Sequence, residues 1–282
     1  MLSKLRNLLH TPAPAPQPAP ALAAAPPPAT PAPDITPFDL GLKDAVLSGW
    51  FRQETNELYN GFVIRAEDTV LDVGCGNGGH VHFCAMRGAE IIIADIDAEK
   101  IEQTRQRLED TPARSVRCLV TDSAPLPLAN DTASRVVCSE VIEHVDDPQA
   151  FLAELVRVGK PGGLYLLSVP HPTSEELQRD FASPSYFEKP NHIRVISEEQ
   201  FRTWVEEAGL EVLSHEKYGF YWSLWMLMFW EAGVGFDKPD HPLLNQWTQT
   251  WHTLLSSPRG TAIKHALDNV IAKSQVIIAR KR

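Results

Sequence analysis

Apolar residues in this chain come in short, nearly unbroken blocks, with amphipathic stretches between them. Val70-Leu71-Asp72-Val73, Glu90 to Ile96 and Leu164 to Val169 read as strands buried on both faces, as in a parallel sheet. Between and after them the period lengthens. Leu152, Leu155 and Val156 form the i, i+3, i+4 stripe of a covering helix. Ser197-Glu198-Glu199-Gln200 is a capping box opening a helix with Phe201, Trp204 and Val205 on one face, stopped at Gly209. Shorter strands are expected at Glu211 to Leu213 and at Gln275 to Ala279. Alternating strands and helices of this kind predict an α/β domain around a parallel sheet. Ahead of it, Phe38 to Val63 carries apolar and aromatic residues at mixed helical spacing, among them Trp50, Phe51 and Tyr59.

The first apolar block runs into Gly74-Cys75-Gly76-Asn77-Gly78-Gly79-His80. Closely spaced glycines allow a tight turn and expose bare backbone at the start of a helix, the arrangement of a nucleotide-type cofactor pocket. Gly74, Gly76 and Gly79 also satisfy G-x-G-x-x-G, a weak signal alone. Asp72 bears on the choice of ligand. A carboxylate aimed into the turn repels a pyrophosphate and favours an ammonium or sulfonium.

On these residues the stretch resembles motif I of class I S-adenosylmethionine-dependent methyltransferases. The resemblance continues through Glu90 to Asp97, through Val120 to Pro127, and through Val136-Val137-Cys138-Ser139-Glu140-Val141-Ile142-Glu143-His144-Val145 to Arg157-Val158-Gly159-Lys160-Pro161-Gly162-Gly163-Leu164. It covers residues 60 to 215 and includes the branch of ubiquinone-biosynthesis O-methyltransferases. It implies a doubly wound, seven-stranded, mostly parallel Rossmann-like sheet with the last strand antiparallel, and S-adenosyl-L-methionine as cofactor. By the same resemblance Asp72, Gly74, Cys75, Gly76, Asn77, Asp95, Ile96, Asp122, Ser123 and Glu140 surround the cofactor. Asp95 is assigned to the ribose and Asp122 to the adenine, while Asp97 is expected to cap the next helix.

Composition narrows the partners. A net charge of −10 leaves no surplus of Lys and Arg to displace counterions, so nucleic acid is not expected. The four cysteines lie in or beside apolar runs without C-x-x-C spacing and read as reduced core thiols, which suits the cytoplasm. His80 and His82 have no third ligand, so no metal is assigned. Residues 11 to 34 form a Pro/Ala-rich linker. Residues 1 to 10 place Leu2, Leu5 and Leu9 at helical spacing beside Lys4 and Arg6, either a disordered tail or a short helix that docks on a membrane or partner.

The methyltransferase domain is thus expected over 35–282, with an N-terminal cap at 35–66 and a helical insertion at 218–272, just before the last strand. The insertion opens with the densest aromatic patch of the chain, Tyr218 to Trp230. Three readings stand open for it: a buried helix, a wall or lid for a bulky apolar acceptor, and a peripheral membrane or protein contact.

Methyl transfer asks mainly for alignment and exclusion of water, with a base needed for a hydroxyl acceptor. His144 is the first candidate base and His192 the second, with His171 also within reach of the site. The reading is an enzyme methylating a small molecule at oxygen, with an apolar or a lipid- or glycan-linked acceptor left open. Its rivals are an NAD-dependent oxidoreductase and a non-catalytic cofactor-binding module that recruits a partner.

Overall fold

A computed structural model describes residues 35–123 and 125–282; the expectations for residues 1–34 lie outside them. The chain opens with α1 (Pro37–Leu47), whose N-cap Thr36 accepts from the Asp39 backbone N–H at 3.1 Å, and a small hairpin of β1 (Glu57–Tyr59) and β2 (Phe62–Val63). The main sheet then begins with β3 (Thr69–Val73), α2 (Gly79–Ala85), β4 (Glu90–Asp95), α3 (Ala98–Arg107), β5 (Ser115–Val120), β6 (Ala133–Ser139), α4 (Pro148–Val158) and β7 (Gly159–Pro170). After α5 (Pro172–Gln178), a 3-10 turn at Pro184–Phe187 and α6 (Glu198–Glu207) comes β8 (Leu210–Tyr218). Three helices follow, α7 (Phe220–Ala232), α8 (Pro242–Leu255) and α9 (Gly260–Asp268), before the final β9 (Ser274–Lys281).

Seven strands form one sheet in the order β5-β4-β3-β6-β7-β9-β8. The five from β5 to β7 are parallel, while β9 lies antiparallel between β7 and β8, with Leu166 opposite Ile278. This is the doubly wound class I methyltransferase fold read from the sequence. Successive residues feed opposite cores: Leu71 and Val73 enter one, Val70 the other. That explains why the blocks are continuous rather than alternating. The order reverses between β3 and β6, and such a switch point opens a crevice at the carboxyl ends of the strands.

The edge strand β8 is longer than the three residues expected at 211–213. Its continuation carries Ser214, Glu216 and Lys217, which no apolar count recovers. Asp97 caps α3 by accepting from Glu99 and Lys100, and Ser197 caps α6 by accepting from Gln200, both as expected.

Within the insertion, α7 packs against α8 and α1. Tyr221, Trp225 and Phe229 are buried in a third core with Leu40, Leu244 and Trp251. A buried charge cluster ties these parts together. Lys264 Nζ, fully buried, lies 2.6 Å from Asp268, 2.6 Å from Ser48 Oγ and 3.5 Å from Asp44. Asp268 in turn accepts the Gly219 and Phe220 N–H groups at the start of α7, and Asp44 accepts from Trp251 Nε1 at 2.8 Å. No described helix is long and apolar enough to cross a membrane.

Candidate cofactor and acceptor site

The carboxyl ends of β3 and β4 bring two carboxylates into one small space. Asp72, on β3, is 2% exposed, and its Oδ2 has no hydrogen-bond partner. Burial, reinforced by Asp95, pushes its pKa up to about 7. Asp95 ends β4 and is anchored on both sides, accepting from the Gly76 N–H at 3.2 Å and the Asp97 N–H at 3.0 Å. The same surroundings, burial first and then Asp72 and Asp95, raise the Cys75 thiol to about 12. A crevice with this field attracts a cation.

The glycines divide the work of the turn. Gly74 has φ +73°, and a Cβ there would fall 2.2 Å from Val141 Cγ2, in the turn after β6. The side of Gly74 that a Cβ would occupy is thus filled by protein. Gly76, at φ +51°, has nothing within 4 Å of an added Cβ and borders open space. Gly74→Ala is therefore expected to cost about 1–3 kcal/mol of stability through left-handed strain and overpacking. Denaturant titration checks this, and an unchanged midpoint would refute the packing role.

Ile96 is 74% exposed at the end of β4, Asp122 is exposed beyond β5, and Ser123 is buried at φ +63°. Asn77 accepts from the Gly79 N–H at 3.3 Å. Glu140, at φ +55° just after β6, lies 3.4 Å from Lys273 Nζ. These residues converge on the carboxyl edge of the sheet.

Beside them lies a cavity of about 300 Å³. Trp50 and Phe51 from the cap and Trp222 and Met226 from α7 wall it, and Asp44, Glu140 and Lys273 are its charged groups beside His80. His80 stacks on Trp50 at 4.7 Å, and burial lowers its pKa to about 4, so the ring is neutral. The aromatic patch thus supplies a core on one face of α7 and a cavity wall on another. Residues 220–230 are all buried or half-buried.

The candidate bases lie further along the same edge. His144 Nδ1 is 3.1 Å from the Pro190 carbonyl, and its ring meets His192 edge-on at 5.0 Å. His192 Nδ1 is 2.8 Å from Glu175, which is fully buried. His171 is turned elsewhere: Nδ1 accepts from the Thr173 N–H to cap α5, and Nε2 pairs with Glu198 at 2.9 Å. Its buried ring serves that cap and not the crevice.

Comparison with known proteins places this geometry. The profile of the methyltransferase domain family matches residues 49–215. The chain belongs to that family. Among its relatives, a Mycolicibacterium smegmatis protein named as a probable S-adenosylmethionine-dependent methyltransferase is 31% identical over 164 residues, 58% of this chain and 60% of the relative. The ubiquinone biosynthesis O-methyltransferase of Chromobacterium violaceum is 33% identical over 122 residues, 41% of this chain and 51% of the relative. The chain thus spans 60% or less of the length of either. A geranyl diphosphate methyltransferase solved in complex with S-adenosylmethionine shares the fold, with a TM-score of 0.50 at 16% identity, covering 78% of this chain and 80% of that one.

S-adenosylmethionine is the cofactor of this methyltransferase class, and the residues present fit it. An orphaned, buried carboxyl oxygen at Asp72 suits a ligand bearing a sulfonium and an ammonium. Two members of the site escaped the sequence. Lys273 reaches Glu140 across 133 residues, and Glu175 reaches His192 from α5. Neither belongs to a motif, and no spacing signal marks either one.

Proposed function

We propose that this methyltransferase transfers a methyl group from S-adenosylmethionine to an oxygen of a small, largely apolar acceptor held in the aromatic cavity. The observation that carries the reading is the unpartnered Asp72 oxygen beside the glycine turn. It opposes the pyrophosphate of a nicotinamide dinucleotide and favours a cationic donor. S-adenosylmethionine supplies an already activated methyl group on its sulfonium. Asp72 and Glu140 balance its charges, and the Gly74-Cys75-Gly76-Asn77 bend lets it approach the backbone. Asp95 keeps lone pairs for ribose hydroxyls beyond the two backbone N–H groups it accepts. Ile96, Asp122 and Ser123 flank the adenine.

Trp222 and Met226 supply apolar contact and exclude water from the acceptor. Burial lowers the pKa of His144, which keeps its imidazole neutral and able to take a hydroxyl proton; His192 stands behind it. The ubiquinone-biosynthesis relative supports oxygen as the methyl target.

Incubation with methyl-labelled S-adenosylmethionine and a metabolite extract should yield a labelled, chemically O-methylated product. Absence of donor binding by calorimetry, or preferential binding of NAD, would overturn the reading. With the acceptor in hand, Trp222→Ala should raise its KM about tenfold while donor affinity stays constant, as removal of one aromatic contact worth ~1–1.5 kcal/mol implies. An equal loss of both affinities would mean that Trp222 serves the fold alone.

A further inference from the structure

One buried group at this edge is left without a hydrogen-bond partner. Glu143, in the turn after β6, is 1% exposed, and neither of its carboxylate oxygens has a hydrogen-bond partner in another residue. Native structures rarely leave a buried carboxylate in that state.

What faces it sharpens the problem. His144 Nε2 lies 3.6 Å from Glu143 Oε1, while Nδ1 meets the Pro190 carbonyl. A carbonyl can only accept, so that contact places the ring proton on Nδ1 and leaves Nε2 a bare lone pair. His192 repeats the arrangement. Its Nδ1 donates to Glu175 Oε2 at 2.8 Å, so the neutral ring keeps its lone pair on the other nitrogen. One ligand atom from each of Glu143, His144 and His192 lies within 4.8 Å of the other two. With both rings neutral, two imidazole nitrogens and the Glu143 carboxyl group therefore face one another.

The neighbouring cations act on Glu143 only through space and make their close contacts elsewhere. Lys273 is paired with Glu140, and the Arg194 guanidinium donates to the backbone carbonyls of Ile142, Val145 and Asp146. A carboxylate and two imidazoles, each imidazole oriented by an acceptor on its far nitrogen, are the ligand set and outer support of a transition-metal centre.

We propose that Glu143, His144 and His192 bind one divalent transition-metal ion, with Glu175 and the Pro190 carbonyl fixing the two histidine tautomers. Mixed nitrogen and oxygen donors select zinc, cobalt, manganese or iron over calcium and magnesium. Three protein ligands leave at least one position for water or an acceptor oxygen. With the ion bound, the histidines are ligands, and the ion itself lowers the pKa of a coordinated hydroxyl. The site ties the turn after β6 to the loop at 189–193.

The test strips the full chain with a chelator and titrates it with Co²⁺ at neutral pH. The expected result is one equivalent bound, with visible d–d absorption, and a thermal midpoint raised by Zn²⁺. Glu143→Gln, which keeps the side-chain shape, should weaken Co²⁺ binding about 100-fold, and Glu175→Gln about tenfold. S-adenosylmethionine affinity, measured on the same samples, verifies that each variant is folded. Absence of stoichiometric Co²⁺ or Zn²⁺ binding by folded wild-type protein would overturn the proposal, as would unchanged binding in folded Glu143→Gln. Glu143 would then be holding a proton in place of a metal.

Discussion

Asp72→Asn should weaken S-adenosylmethionine binding about 30-fold or more, the effect of removing one partner of a buried charge contact worth ~2 kcal/mol or more. The ligand-free protein should be unharmed or stabilised. Asp72 has no partner for Oδ2, and its pKa is raised from 3.8 to about 7 by burial and then by Asp95. The folded state therefore holds this proton more tightly than the unfolded chain does. Stability from this group is fully present below about pH 4 and is lost as pH rises toward 7, by on the order of a few kcal/mol.

Donor binding runs the other way. A cation beside Asp72 favours the carboxylate, so binding releases a proton below pH 7. Affinity should rise with pH by up to about tenfold per unit and level off above pH 7. The asparagine variant should show no such slope. Calorimetry in buffers of different ionisation heat measures both the slope and the proton released. Equal affinity of the two proteins at pH 8 would remove the cation-holding role.

Lys264→Met should destabilise the protein by about 3–5 kcal/mol at pH 7, because it strands Asp44 and Asp268 in the interior without their cation. Even with Lys264 present, burial raises the pKa of Asp44 to about 6, the lysine opposing that rise. Without the lysine it should rise further. The stability deficit should then shrink as pH falls from 7 to 5, because protonation discharges the stranded carboxylates. Urea titrations at both pH values check the sign. An equal deficit at both would mean that lost packing, not charge, is responsible.

The consequence reaches the site. Asp268 holds the start of α7, which carries Trp222 and Met226 to the cavity, and Asp44 lies on α1 beside the same cavity. The variant should therefore lose acceptor affinity before donor affinity.

The sheet and the donor end of the site were legible along the chain because they are local. A buried parallel strand must be apolar on both faces, and a tight turn at its end must use glycine. Val70 to Gly79 therefore carries its structure in its own composition. The same locality made Asp97 and Ser197 readable as caps. The strand β8 was underestimated because an edge strand tolerates polar residues.

The acceptor end is of another kind. Which face of α7 walls the cavity, which charge meets Glu140, and what orients His192 depend on contacts between residues far apart in the chain. Lys273 with Glu140, Glu175 with His192, and Lys264 with Asp44 leave no periodicity to read. Local conformational preference wrote the cofactor turn into consecutive residues, whereas the pairing of buried charges was settled by the requirement that each desolvated group meet its complement once the chain had packed.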